Sequence, residues 1–242
     1  MKHIITLILL CFCMQIIAEE SLFTQANQKY KSEDYSTATI LYDSILSSGF
    51  ESSEIYYNLG NCSYKIKDWG NAIWYFEKSL LLKNNKKTRE NLKLTRLKII
   101  DKIDPLPELF YENWWYYILG LCSTMIWQII TIICVWLLFI TSTIIQSLKF
   151  KTVNTQLLLL TLSIALVFIT HYSNKKNLEI SAIILSSTVK VASAPSSNAK
   201  KLFLIHSGTK VKINDEIDSW INVEFANGNN GWIEKSSCKL LK

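Results

Sequence analysis

The sequence predicts a multi-domain membrane protein: an all-α helical-repeat domain, two transmembrane helices and a C-terminal all-β small barrel, in that order. Three observations predict it. Residues 19–86 repeat themselves with a period of 34. Residues 113–148 contain no charged side chain. Beyond residue 177 the chain breaks into short alternating segments punctuated by turn residues.

Composition sets the frame. The chain has 242 residues, 49% of them hydrophobic, with a mean hydropathy of +0.16. The apolar residues fall in three blocks, at 4–17, 114–148 and 153–170, with ordinary water-compatible sequence between them. Net charge is +6, and the stretch Lys83–Lys102 alone holds eight basic against two acidic residues, a surplus equal to the whole. Arg89 and Arg96 are the only arginines, and the remainder of the chain is near neutral. That near-neutral remainder, with arginine so scarce, argues against a general nucleic-acid binder. The six cysteines sit at no metal or disulfide spacing, so neither a zinc site nor a disulfide framework is expected.

The N-terminus pairs Lys2 with the apolar run Ile4–Ile17, then Ala18 before Glu19 and Glu20. This is the pattern of a secretory signal peptide over 1–18. Cleavage after Ala18 is expected, an uncleaved anchor being the alternative. Either way Glu19 onward is exported.

The repeat aligns without a gap over 19–52 and 53–86. Asn27 matches Asn61, Tyr30 matches Tyr64, Asp34-Tyr35 matches Asp68-Trp69, Ala38 matches Ala72, Tyr42 matches Phe76 and Leu46 matches Leu80. Gly60 and Ala72 are small where paired helices must cross closely, and Tyr56, Leu59 and Phe76 fill the space around them. Asp68 is placed to cap the helix that follows it. A repeat cannot bury its face alone, so a capping helix is expected over 87–103, where Leu92, Ile99 and Ile103 recur at helical spacing. With Tyr56, Leu59, Gly60, Tyr64, Asp68-Trp69, Ala72, Phe76 and Leu80, the second copy resembles the tetratricopeptide repeat (TPR); Asn84 stands where that family commonly has Pro. The domain is therefore read as 19–103.

The resemblance implies a concave groove presenting Phe23, Asn27 and Tyr30 from the first copy and Tyr57, Asn58, Asn61, Tyr64 and Lys65 from the second. These side chains are candidates for binding a peptide or protein, or for packing between helices. Lys86, Arg89, Lys93 and Arg96 form a basic stripe, either a solvated outer face or a docking surface for an acidic partner or lipid head groups.

Pro105 and Pro107 mark a stiff boundary, and Trp114-Trp115-Tyr116-Tyr117 form an aromatic interfacial segment within 104–124. A single helix over 113–148 would measure about 54 Å, beyond a hydrocarbon core of about 30 Å. The spans are placed at 125–145 and 153–170, joined by a short cytoplasmic loop, 146–152, with Lys149 and Lys151. Two spans return the chain to its starting side, so both folded domains are expected outside the cytoplasm. The spans carry no Asp, Glu, Lys or Arg, so they are read as anchors rather than as an ion or proton path.

Five strands are expected in 177–242: Thr188–Ala192, Leu202–His206, Thr209–Asn214, Trp220–Phe225 and Gly231–Ile233. The order Val189-Lys190-Val191, Ser193-Ala194-Pro195, Gly208-Thr209-Lys210-Val211, Trp220, Val223 and Gly231-Trp232-Ile233 looks like a bacterial SH3-like domain, with Ala192 where that family often has Arg. A ligand groove for an extended peptide or cell-wall fragment would use Ser193, Ala194, Pro195, Trp220 and Trp232. Closure of the barrel core is the alternative reading of Trp232.

His3, His171 and His206 lie near no nucleophile at a recognisable spacing, and no glycine pattern cradles a phosphate. No catalysis, cofactor or metal is expected. As a whole, the order of parts resembles the BatE-type proteins of the Bacteroides aerotolerance operon, with the Asp104-Pro105-Leu106-Pro107-Glu108-Leu109-Phe110 linker included. That resemblance implies an accessory scaffold in an inner-membrane complex linked to aerotolerance or stress tolerance. It implies partners among membrane proteins with von Willebrand A-type domains, and a MoxR-type ATPase. Cell wall (peptidoglycan) binding, or service as an accessory subunit of a wall hydrolase, is the alternative.

Overall fold

The computed structural model describes residues 21–107, 110–148, 153–177 and 179–241. The signal peptide expected over 1–18 and the loop lysines Lys149 and Lys151 lie outside the described residues. Two compact units are present. One joins the described residues up to Pro105 to those from Ile180 onward, and the other lies within Leu106–Glu179.

The first unit opens with helices: α1 (residues 21–31), α2 (Tyr35–Ser47), α3 (Ser53–Lys65), α4 (Trp69–Leu82) and α5 (Lys86–Arg96). Their starts follow from side chains that accept orphan amides of the first turn. Asp34 accepts from Thr37 N at 3.2 Å, Ser52 from Ile55 N at 3.2 Å, Asp68 from Asn71 N at 3.2 Å and Asn85 from Lys87 N at 2.9 Å. The turns repeat as well as the helices. Glu33 and Lys67, one period apart, both take a left-handed backbone with φ 64° immediately before the capping Asp.

Packing follows the repeat. Ala26, Ala38, Tyr42, Leu59, Ala72 and Phe76 are fully buried in one core. Gly60 sits where α3 crosses α4, and a Cβ there would lie 2.6 Å from the Phe76 ring. The capping helix ends at Arg96, short of the expected 103. Tertiary contacts override its helical periodicity. Ile99 packs into the helical core, while Ile103 packs into the β core and Asp101 is bound by β-strand residues.

The same unit closes with seven antiparallel strands: β1 (Ser181–Ile184), β2 (Thr188–Ala192), β3 (Lys201–His206), β4 (Lys210–Ile217), β5 (Trp220–Glu224), β6 (Asn230–Glu234) and β7 (Cys238–Leu241). They pair in the order β3-β2-β6-β5-β4-β1-β7. Val189, Val191, Ile205, Val211, Ile221, Val223 and Ile233 meet in a single core, so the sheet wraps around its own inner face. Strands β1 and β7 were not among the five expected from alternation. Their physical signature is different: in β1, Ala182 and Ile184 enter the β core while Ile183 enters the helical core. A strand buried on both faces has no polar alternation to read.

The second unit holds α6 (Phe110–Gly120), α7 (Thr124–Leu148) and α8 (Val153–Asn177). Two stretches, Thr124–Ile144 and Gln156–Asn174, are long and apolar enough to cross a membrane. Ile132, Trp136, Phe139, Leu158 and Phe168 are exposed along them, the reverse of a soluble protein's core helix. The α7–α8 seam is lined by small polar groups. Thr124 and Ser173 hydroxyls meet at 2.9 Å, Thr131 and Thr170 at 3.0 Å, and Cys134 Sγ lies 3.5 Å from Ser163 Oγ. Helix α6 rests Trp115 edge-on against Tyr172 at 5.8 Å and leaves Tyr111, Trp114 and Tyr117 exposed.

Candidate functional site

Five of the eight groove residues read from the sequence line one cavity of about 270 Å³: Tyr30 from α1, and Tyr57, Asn61, Tyr64 and Lys65 from α3. Helix α5 completes it with Asn91 and Leu94, two residues that the repeat alignment did not supply. Asn91 Nδ2 donates to Asn61 Oδ1 at 2.8 Å and to the Tyr57 hydroxyl at 3.3 Å. The wall is aromatic, with Tyr30 edge-on to Tyr35 at 5.3 Å and Tyr64 edge-on to Trp69 at 5.2 Å. Lys65 lies 5.9 Å from the centre of the Tyr35 ring. Burial raises the Tyr30 pKa above that of a free phenol, so its hydroxyl remains a neutral donor and acceptor. Phenol hydroxyls, carboxamides and one ammonium beside flat rings suit hydrogen bonding and stacking on a peptide.

The other three groove candidates are turned to internal work. Tyr42 OH donates to Asn27 Oδ1 at 2.6 Å, and Asn58 Nδ2 donates to Asn27 Oδ1 at 3.2 Å and to Tyr42 OH at 3.1 Å. Phe23 stacks edge-on against Tyr42 at 5.8 Å. These contacts tie α1, α2 and α3 together. The basic stripe is also uneven. Arg96 is drawn to Glu77, and Lys86 lies 3.9 Å from Glu90, while Arg89 and Lys93 are exposed.

On the β side, burial alternates along β5 and β6. Ile221, Val223 and Ile233 point into the core, which places Trp220 and Trp232 on the opposite, outer face. Trp232 pairs with Asn222 and Trp220 with Glu234, so the two indoles are diagonal neighbours on that face, both half-buried. Ala192 pairs with Trp232. Ser193, Ala194 and Pro195 follow β2 in the loop to β3, where Ser193 N donates to Lys200 O at 3.0 Å.

A third set of contacts, not anticipated from the sequence, joins the helices to the sheet. Trp74 Nε1 on α4 donates to Leu240 O of β7 at 2.8 Å, and Lys239 Nζ lies 3.6 Å from the centre of the same indole. Burial holds the Lys239 pKa below that of a free ammonium, with Asp43 opposing the shift. Buried Glu77 bridges Arg96 and Lys210, the latter at 2.9 Å. Asp101 accepts from His206 N at 2.5 Å and from Thr209 Oγ1 at 2.7 Å, and meets His206 Nδ1 at 2.8 Å. Burial pushes the Asp101 pKa upward, but the bonds from His206 and Thr209 outweigh it and hold it below the usual carboxylate range. The Thr209 hydroxyl, with one proton to give, lies 2.7 Å from the Asp101 carboxylate and 2.9 Å from His206 O. The three groups clamp the segment after α5 to the turn between β3 and β4. Burial raises the Cys62 and Cys238 thiols to about 11, far from a reactive thiolate. Among the described residues no group of three His, Cys, Asp or Glu side chains is placed to hold a metal ion.

No family model and no curated protein sequence matches the chain. Solved structures similar to part of it include NlpC2 from Trichomonas vaginalis, 13% identical with a TM-score of 0.24, over 26% of this chain and 25% of that one. NlpC1 from Trichomonas vaginalis is similar at 15% identity and a TM-score of 0.24, over 26% of this chain and 24% of that one. The chain spans about a quarter of the length of either, and likeness at this level carries no functional argument.

Proposed function

We propose that the protein is a non-enzymatic scaffold, held in a bacterial inner membrane by α7 and α8, that presents a TPR groove and an SH3-like module together on the extracytoplasmic side. The observation that carries this reading is the cavity formed by Tyr30, Tyr57, Asn61, Tyr64 and Lys65 with Asn91 and Leu94. Five of the eight residues nominated by the TPR resemblance line one concave polar and aromatic surface, the kind of site that holds a peptide segment. The two-span layout is supported by the clamp contacts. Residues from both flanks of α7 and α8 build one folded unit, so both flanks must lie on the same side of any membrane the helices cross. On the BatE-type resemblance, the partners are membrane proteins with von Willebrand A-type domains, in an assembly serving aerotolerance or stress tolerance.

A photo-crosslinking residue at Leu94 in intact cells tests the groove. The expected product is a crosslink to an integral membrane protein, lost when Tyr57, Asn61 and Tyr64 are replaced by alanine in a variant that keeps the wild-type melting profile. Unchanged crosslinking in that variant removes the groove from the interaction. A second reading is favoured by the outward Trp220–Trp232 pair, which offers two half-exposed indoles to a sugar or peptide of the cell wall, as a wall sensor or as an accessory to a hydrolase. Detergent-solubilised full-length protein should then sediment with purified peptidoglycan and lose this on Trp220→Ala; sedimentation equal to a control protein rejects it.

A further inference from the structure

Helix α5 buries Thr88, Leu92 and Thr95 against α4 and turns its other side to solvent. That side carries Lys86, Lys87, Arg89 and Lys93 with one acidic residue, Glu90; Lys98 and Lys102 follow in the chain beyond the helix end, and all are exposed. Interleaved with them, just past the helix end, are Leu97 and Ile100, exposed at 62% and 71%. A further helical repeat cannot stack here, because the charges would be buried without partners. A symmetric contact with a second copy is disfavoured too, since the face would meet its own sign. Five of these six cations are lysines, hydrated point charges suited to a diffuse negative surface rather than to the planar, bidentate recognition that arginine serves.

We infer that this face of α5, with the segment just beyond it, docks on an anionic lipid surface, with Leu97 and Ile100 entering the headgroup layer. The inference rests on the membrane reading of α7 and α8, and the chain itself supplies the proximity. Between Arg96 and the start of the uncharged stretch at Asn113, an extended backbone reaches at most about 60 Å. Such a tether raises the local concentration of the face at a bilayer, and each cation that comes near an anionic surface adds to the attraction.

The full-length protein reconstituted in nanodiscs tests this, with phosphatidylcholine alone in one sample and about 30% phosphatidylglycerol in the other. Amide hydrogen exchange over 86–100 should slow by about tenfold with the anionic lipid and recover at high salt. The Lys86→Glu/Arg89→Glu/Lys93→Glu variant should lose the effect while its α3 and α4 amides exchange as in the wild type. Equal exchange in both nanodiscs, with α7 and α8 protected by lipid, overturns the inference alone. Slowing only on addition of polyglutamate assigns the face to an acidic protein and likewise overturns it. A chain that fails to enter either nanodisc overturns the inference together with the membrane reading.

Discussion

Helices α4 and α7 are both rich in large apolar side chains, though α4 also carries Glu77 and Lys78 and α7 has no charge, and the structure covers those apolar side chains in opposite ways. In α4, Ala72, Ile73, Trp74, Tyr75 and Phe76 are all buried, because α3 covers one side and β1 and β7 cover the other. In α7, Ile132, Ile133, Val135, Trp136 and Phe139 remain exposed, and contact with α8 runs along a narrow hydroxyl seam. An all-round apolar helix needs an apolar surrounding on every side, and either protein or lipid satisfies it. The difference lies in the seams. The back of α4 is joined by an indole bond, a cation over a ring and a buried bridging carboxylate, whereas α7 meets its neighbour through small groups that permit close approach.

The comparison breaks most severely at Phe76. Phe76→Ala should cost about 3–5 kcal/mol of unit stability by chemical denaturation, whereas Phe139→Ala, on the exposed side of α7, should cost under about 1 kcal/mol in detergent. A charge on α7 should hurt insertion rather than folding of the first unit. Ile133→Arg should disfavour membrane integration by about 2.5–3.5 kcal/mol, read as a drop in glycosylation-mapped insertion.

The α4–β7 seam is tested by Trp74→Phe, which keeps a smaller aromatic ring and removes the bond to Leu240 O. A loss of about 1–3 kcal/mol is expected because the carbonyl is left unsatisfied. Asp101→Asn should cost a similar or smaller amount and should also change the pH profile. The folded pKa of Asp101 lies below its unfolded value of about 3.9. Its contribution is therefore complete above that value and disappears as pH falls through the folded pKa. Melting scans from neutral to pH about 3 should show a shallower acid loss in Asp101→Asn than in the wild type. The smallest effect belongs to the hydroxyl seam, where Thr131→Val should cost about 0.6 kcal/mol in bicelle unfolding.

What could be read in the chain was what recurs locally. The period placed Gly60 against Phe76 and Asp68 at its cap, and alternation located five of the seven strands. The groove was legible only in part. Repeat phase identifies equivalent positions, yet it does not separate Asn61, which faces the cavity, from Asn27 and Asn58, which bond to each other. Asn91 and Leu94 escaped because they belong to no complete repeat. The α4–β7 seam left no trace at all, since Trp74 and Leu240 lie 166 residues apart and each looks like an ordinary apolar residue in its own neighbourhood.

The separation between Trp74 and Leu240 also has a meaning in time. At a synthesis rate of about 5–20 residues per second, the back of α4 emerges roughly 8–30 s before the strand that covers it. During that interval both hydrophobic hairpin helices must be made and delivered elsewhere, while Trp74, Tyr75 and Ile73 await Ile183 and Leu241. The nascent chain therefore passes through a stage with a sticky half-built body, when a chaperone or a neighbouring chain has its opportunity. Truncation before Cys238 should leave it there permanently, as an aggregation-prone species rather than a shorter native one.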